Sequence, residues 1–527
     1  MAAGGRACRP TGTMNEITVG IVGGGTMGTG IAEVALLAGY SVYLFDSNAI
    51  AAEKAARTVR ENLQRHVEKK RLTSDRANRA IDALRIVKEI SLFSDVALVI
   101  EAISEDLESK QQLFAALEKI VSHQTILATN TSSLSITTIA AGVTKPHRVV
   151  GMHFFNPAQR MDLVEVVSGL ATDPAVAESI CAIAKAWGKT PVRVQSRPGF
   201  IVNRVARPFY GEALRLLHER AADPATIDAV MRETGGFRMG PCELMDLIGH
   251  DVNLTVTQSV FRAFSYDPRY TPSLIQEEMV RAGFLGRKTG RGFYEYRENA
   301  DQPLPHTEPP AEGPTRIVPV ECDAVVQPLV TRSMAARTGS FNLWRSSHVG
   351  LLMETDNAAV WLTDGRTATE RAQETGLDNT VLVDLALDYE HAKRIAVAKA
   401  DQCSEAAYRE VVGLFQAAGL AVSRVDDVAG MIVMRTVACI INEAADAVNQ
   451  GVCTREALDL AMEKGVNYPL GPFAWADRIG FKIVHEVLAN LSFHYGEDRY
   501  RISPLIRRML WRKESHEPAA ERATPGE

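Results

Sequence analysis

From Glu16 to about Gln195, apolar runs of strand length alternate with amphipathic stretches of helical period: ITVGIV, SVYLF, ALVIEAI, TILAT, RVVGMHF and PVRVQ are the runs. This alternation predicts a largely parallel sheet covered by helices. Between Ile50 and Leu84 the pattern is charged and helical, with a break near Arg71 to Asp75, and predicts a helical hairpin inserted after the second strand. Beyond it the period changes. Ile201, Val205, Leu214 and Leu217 recur at helical intervals, so residues 198–297 read as a mainly helical domain. Residues 298–319 hold six prolines without periodicity and read as a linker. AVWLT and TVLVDLA, separated by a helical stretch around Glu370, predict a small α/β unit over 320–428, followed by helices over 429–511. The end segments 1–14 and 512–527 are expected to be disordered.

An internal repeat sharpens this division. A shift of 231 residues aligns Gly199 with Gly430, Ile201 with Ile432, Val202 with Val433, Arg204 with Arg435, and Glu212 with Glu443. It also aligns Asp228 with Asp459, Gly240-Pro241 with Gly471-Pro472, and Asp246 with Asp477. The helical domain is therefore expected twice.

Composition narrows the class. With 46% hydrophobic and 23% charged residues the chain reads as globular, and a net charge of -6 gives no basic field to gather a nucleic-acid backbone. No run approaches the ~18 apolar residues of a membrane span, and the first fourteen residues lack a signal-peptide core. A cytoplasmic protein with neither membrane nor nucleic acid as partner is expected. Its seven cysteines are scattered and never spaced as CxxC, so neither a disulfide framework nor a metal site is indicated.

The first strand runs into GGGTMG, Gly23 to Gly28, and then into a helix. In that setting Gly23 permits the tight turn, Gly25 lets the backbone approach a pyrophosphate, and Gly28 lets helix and strand pack closely. Thr26 and Met27 open the helix, whose N-terminus faces the negative charge. SVYLF ends at Asp46, which completes a βαβ unit and places a carboxylate to accept from ribose hydroxyls. No arginine stands near Asp46 in sequence to meet a 2′-phosphate, so NAD is favoured over NADP.

Ligands of open α/β sheets sit beyond the carboxyl ends of the strands. TILAT is followed there by Asn130, Thr131, Ser132 and Ser133, and RVVGM by His153, Phe154, Phe155, Asn156 and Pro157. An isolated histidine would read as a core group. Glu165, twelve residues on in the apolar LVEVV, needs a partner and shifts the reading towards a histidine–carboxylate pair.

GGGTMGTGIA, EAISEDLESKQQLF, NTSSL, HFFNP, LVEVV, PGFIVNR, GPCELMDLIG and GRKTGRGFY together resemble the L-3-hydroxyacyl-CoA dehydrogenase family over residues 16–296. The linker, the small α/β unit and the second helical copy are similar to its longer bacterial members, linked to phenylacetate breakdown and acting on 3-hydroxyadipyl-CoA. The resemblance implies a Rossmann-like NAD-binding domain, duplicated helical domains, a degenerate α/β unit between them, and an acyl-CoA substrate. It implies His153 as base, Glu165 as its orienting carboxylate, and Ser132 and Asn203 as hydrogen-bond partners of the substrate oxygen. Glu105, Lys110, Asn130, Asn156 and Lys288 are implied as NAD contacts, and Lys69 as a coenzyme A contact. In the hairpin, Asn62 stands where the family can carry serine.

The second copy carries Met434 at the place of Asn203, and a thioether cannot donate the amide's hydrogen bond. One active site per chain is expected, with the second helical copy mimicking a dimer contact within one chain or accompanying a homodimer. Two other readings are a dehydrogenase of a free hydroxy acid or sugar acid, which generally relies on a lysine base, and a non-catalytic protein that binds NAD and acyl-CoA.

Overall fold

A computed structural model describes residues 17–335 and 350–514. It divides into two compact units, Met1–Arg204 with Gly451–Val466, and Val205–Gln450 with Asn467–Glu527.

In the first unit the glycine turn joins β1 (Thr18–Val22) to α1 (Thr26–Leu37), and β2 (Ser41–Phe45) follows. The hairpin is α2 (Ala49–Glu68) and α3 (Ser74–Asp82). Asn48 caps α2 by accepting from the amides of Ile50 and Ala51, and Ala52, Ala55, Ala56, Val59 and Leu63 form its buried face. Next come β3 (Leu84–Ile86), β4 (Leu98–Glu101), α4 (Leu107–Ile120), β5 (Ile126–Thr129) and α5 (Ile136–Ala140). β6 (Val149–Phe154), β7 (Leu163–Ser168), α6 (Pro174–Ala186), β8 (Thr190–Gln195) and α7 (Val202–Val205) complete the run. The strands form one sheet in the order β3-β2-β1-β4-β5-β6-β7-β8. Every pairing is parallel except β6 with β7, where His153 stands opposite Glu165.

The second unit begins with α8 (Arg207–His218), α9 (Pro224–Glu233), α10 (Pro241–Ile248), α11 (His250–Ala263) and α12 (Leu274–Arg281). The proline-rich segment differs from a free linker. Glu308 donates its amide to the Val422 carbonyl at 2.8 Å, and the last three of those residues are β9 (Ile317–Pro319). Then follow α13 (Gln327–Ala335), β10 (Leu351–Thr355), β11 (Ala359–Leu362), α14 (Ala368–Thr375) and β12 (Thr380–Val383). β13 (Arg394–Lys399), α15 (Glu405–Ala417) and β14 (Ala421–Arg424) close a six-stranded sheet, β14-β13-β12-β11-β10-β9. The last helices are α16 (Val433–Asn449), α18 (Pro472–Ile479), α19 (Phe481–Tyr495) and α20 (Pro504–Glu514), with α17 (Arg455–Val466) of the first unit between α16 and α18 in the chain. α20 runs three residues into the segment expected to be disordered; residues 1–14 and the rest of that tail lie outside the described residues.

Two departures from the sequence boundaries stand out. The first unit extends to Arg204, and it includes α17 from the second helical copy, which packs on β8 and β7. There Gln195 donates its amide to the Val452 carbonyl at 2.8 Å. In the second unit α9, the counterpart of α17, packs on β13, and Asp426 donates to the Ala221 carbonyl at 2.9 Å. The shift of 231 relates these two bonds to each other. A further reciprocal pair joins the helical copies inside the second unit: Tyr270 donates its hydroxyl to Glu443 at 2.6 Å, and Tyr500 to Glu212 at 3.0 Å. No described helix is long and apolar enough to cross a membrane.

Candidate active site

At the end of β1 the backbone turns through Gly23, whose φ of +112° favours glycine and whose added Cβ would lie 2.5 Å from the Ala102 carbonyl oxygen. A Cβ on Gly28 would lie 1.9 Å from the Gly23 carbonyl oxygen, so the close helix–strand approach requires glycine there. Beside Gly25 the space is open, with nothing within 4 Å of a Cβ. Gly25 and Thr26 are exposed and Met27 is half-buried, and the first turn of α1 has no acidic residue and no side-chain cap. Its leading amides are thus available to a phosphate. Asp46 accepts from the amides of Gly24 at 2.7 Å and Asn48 at 2.8 Å, one on each oxygen. Lone pairs remain for ribose hydroxyls. The residues of this turn fit a dinucleotide.

At the sheet's other strand ends, Asn130 accepts the amide of Phe154 at 2.8 Å and so ties the end of β5 to that of β6. Glu105 gathers the neighbouring loop: its Oε1 accepts from the Thr131 hydroxyl at 2.6 Å and from the amides of Ser132 at 2.9 Å and Ser133 at 3.1 Å. Burial pushes this carboxyl's pKa up, but the bonds from Thr131, Ser133 and Ser132 and the charge of Lys110 outweigh it and hold it below its ordinary value. Lys110 itself is 1% exposed, with Nζ 2.5 Å from Glu101 and 3.3 Å from Glu105. It stands behind Glu105, so a direct NAD contact fits this side chain less well than support of Glu105.

His153 is buried one residue before the end of β6, and its Nδ1–H donates to Glu165 Oε2 at 2.7 Å. Glu165 is wholly buried, and its Oε1 accepts from the amides of Ile201 at 2.9 Å and Val202 at 3.1 Å. Those amides point at it because the chain turns through two left-handed residues, Gly199 at φ 72° and Phe200 at φ 49°. A carboxylate with both oxygens accepting fixes the proton on Nδ1 and leaves Nε2 as the lone-pair nitrogen. The rings of Phe155 and Phe200 lie 4.6 Å and 5.8 Å from the imidazole. Asn203 donates to the Ser132 carbonyl at 3.3 Å, which brings both residues together on this unit, and Asn156 is exposed just beyond β6.

Lys69, exposed at the end of α2, lines a cavity of about 920 Å³ with Arg65, His66, Arg71, Arg76 and Lys189. Asn62 donates to the buried Glu33 at 2.9 Å, as does Gln159 at 3.0 Å. Lys288 belongs to the second unit, where its Nζ lies 2.5 Å from Asp251.

Sequence reasoning missed Glu101, Arg71 and Arg76. Glu101 accepts from Lys110, from Thr129 at 2.6 Å and from the Ile103 amide at 2.8 Å. It closes an apolar strand as Glu165 sits within one, so the same signal was available.

The family model of the 3-hydroxyacyl-CoA dehydrogenase NAD binding domain matches residues 18–197. That of the C-terminal domain matches twice, over 199–296 and 430–523, and that of the 3-hydroxybutyryl-CoA dehydrogenase reduced Rossmann-fold domain matches 360–428. The chain belongs to the 3-hydroxyacyl-CoA dehydrogenase family. It is similar to the 3-hydroxyadipyl-CoA dehydrogenase of Escherichia coli (strain K12), 43% identical over 94% of this chain and 97% of that one. A probable 3-hydroxybutyryl-CoA dehydrogenase of Bacillus subtilis (strain 168) is 41% identical over 53% of this chain and 96% of its own length. A solved structure of 3-hydroxybutyryl-CoA dehydrogenase from Escherichia coli K12 superposes with a TM-score of 0.86 at 41% identity, covering 95% of this chain and 99% of that one. As a member of the family the chain is an NAD-dependent oxidoreductase that converts a 3-hydroxyacyl-CoA to the 3-oxoacyl-CoA. The free-acid and non-catalytic readings are set aside.

In the second half the site's counterpart is altered. The β12–β13 register carries Val383 opposite Val397, and Asp384 then donates its amide to the Ala396 carbonyl at 3.1 Å. With Arg424 as the counterpart of Arg193, Ala396 takes the place of Glu165 and Asp384 that of His153. Asp384 accepts from the amides of Ile432 at 3.0 Å and Val433 at 2.8 Å, the counterparts of Ile201 and Val202. The helix cap is kept and the imidazole is absent.

Proposed function

We propose that His153 Nε2 takes the proton of the substrate's C3 hydroxyl as the C3 hydride leaves, turning the secondary alcohol into a carbonyl. NAD, when bound, accepts that hydride. Glu165 holds the imidazole in the tautomer that accepts at Nε2 and offsets the positive charge that forms, while the amides of Ile201 and Val202 at the start of α7 keep Glu165 in place. Asn203 and Ser132 orient the substrate oxygen. Asp46 receives the ribose hydroxyls, the first turn of α1 with Gly25, Thr26 and Met27 receives the pyrophosphate, and Asn130, Asn156 and Glu105 complete the NAD side with Lys110 supporting Glu105. Lys69 and the arginines of its cavity receive coenzyme A phosphates.

The observation that carries this reading is the chain of bonds from α7 through Glu165 to His153. It is tested by NADH formation with 3-hydroxyadipyl-CoA and 3-hydroxybutyryl-CoA. His153→Ala is expected to lower kcat by about 10²–10⁴-fold while NAD still binds. A kcat near that of the unaltered chain would remove the histidine from the role. We propose 3-hydroxyadipyl-CoA as the preferred substrate, supported by the end-to-end likeness to a relative of that name. A higher kcat/KM for 3-hydroxybutyryl-CoA would reverse the order. One such site works per chain, since Asp384 and Met434 replace the base and the amide in the second half.

A further inference from the structure

We propose that Arg207 is a receptor for an aliphatic carboxylate. In the second unit a cavity of about 400 Å³ lies along α8 and α11 and is lined by Arg207, Tyr210, Asn253, Thr257, Tyr270 and Gln276 among others. That volume is in the range of small-molecule sites. Arg207 is only 7% exposed, and its single hydrogen bond among the described residues runs from Nη1 to the Thr257 hydroxyl at 3.0 Å. The buried Nε has no partner. Among the described residues Nη2 has none either, and these two nitrogens form one edge of the guanidinium, the fork that grips both oxygens of a carboxylate.

Other buried arginines of this unit are matched by acids. Arg435 meets Glu212 at 2.7 Å and Glu219 at 3.0 Å, Arg394 meets Glu233 at 3.0 Å, Arg371 contacts Asp364, and Arg269 contacts Glu443 and Asp446. Arg207 has only the face of Tyr210, 4.9 Å from ring centroid to guanidinium carbon. Burial lowers its pKa, and the groups that oppose this are the hydroxyls of Tyr210 and Tyr468 rather than a carboxylate. A buried cation without an acid partner is costly. The acids that also line the cavity are already engaged: Glu219 by Arg435 and Tyr495, and Glu497 by Arg215 at 3.6 Å and Arg499 at 3.2 Å. The cavity therefore presents one unmatched positive charge, with the side-chain amides of Asn253 and Gln276 beside it. A small anion with two coplanar oxygens and a short apolar body satisfies it.

A free dicarboxylic acid carries that chemistry. Full-length protein and R207L are compared in thermal melts. Adipate is expected to raise the Tm of the unaltered chain and to leave that of R207L unmoved. A Tm of the unaltered chain indifferent to adipate, or the same rise in R207L, overturns the proposal. Should R207L fold poorly, R207K, which keeps the charge and loses the fork, is read in the same way.

Discussion

Glu165→Gln separates the two jobs of the carboxylate. The glutamine oxygen can still accept from Ile201 and Val202, so the start of α7 keeps its cap. Its amide nitrogen then faces His153 Nδ1, which must accept, and the ring proton moves to Nε2. The base is blocked by its own hydrogen. We expect kcat to fall by roughly 10²-fold or more with little change in Tm, measured by NADH formation and thermal melts. A variant that loses stability but keeps its rate per folded molecule would show Glu165 to be a cap alone. At this scale the sequence was informative where chemistry sits at strand ends, as at His153, Glu165 and Asp46. It was silent on Arg207, because an unmatched charge is defined by the absence of neighbours that only folding brings near.

Among elements, the loops after β4 and β5 are held together chiefly by one residue. Glu105 accepts five bonds from the Thr131–Ser133 turn and pairs with Lys110, which places Ser132. Its folded pKa lies below the ordinary value of 4.5, so its contribution to stability is complete above that value and is lost as pH falls through the folded pKa. Melts of Glu105→Gln are therefore expected to show a lower Tm near neutrality and a shallower decline on acidification below about pH 4.5. Parallel curves for the two proteins would contradict this.

The long periodic elements were legible: the glycine turn, the hairpin α2–α3, and the repeated PGFIVNR-type turn, which returns as Gly430 and Met431 in left-handed conformation. The short strands β3, β9, β10, β13 and β14 were not. Runs of three to six residues such as AVSR carry too few positions for period 2 to stand apart from a helix, and their pairing comes from distant chain. β7 was quoted for its glutamate without being recognised as a strand, for it is apolar on both faces, as a covered strand is.

For the whole molecule, the decisive feature is the helix that each half lends. α17 covers β8 and β7 in the first unit, and α9 covers β13 in the second. The reciprocal bonds, Gln195 to Val452 and Asp426 to Ala221, have the i-to-j and j-to-i form of a two-fold interface. We propose that the duplicated copies stand in for a dimer within one chain. A chain ending at residue 297 would lack α17 and leave the faces of Leu163 and Val202, where Gly465 packs, open to water. It is expected to elute as a dimer in size-exclusion chromatography, two copies lending each other the missing helix. Elution as a stable monomer would argue against the exchange.

The same exchange sets an order on synthesis. The amide of Gln195 finds its carbonyl roughly 250 residues later in the chain, so the NAD-binding sheet emerges from the ribosome with its β8 side uncovered. It stays so until Gly451–Val466 has been made. Throughout that interval the nascent protein carries an apolar flank whose cover is still unwritten, and Gly451–Val466 finishes the domain that the glycine turn began.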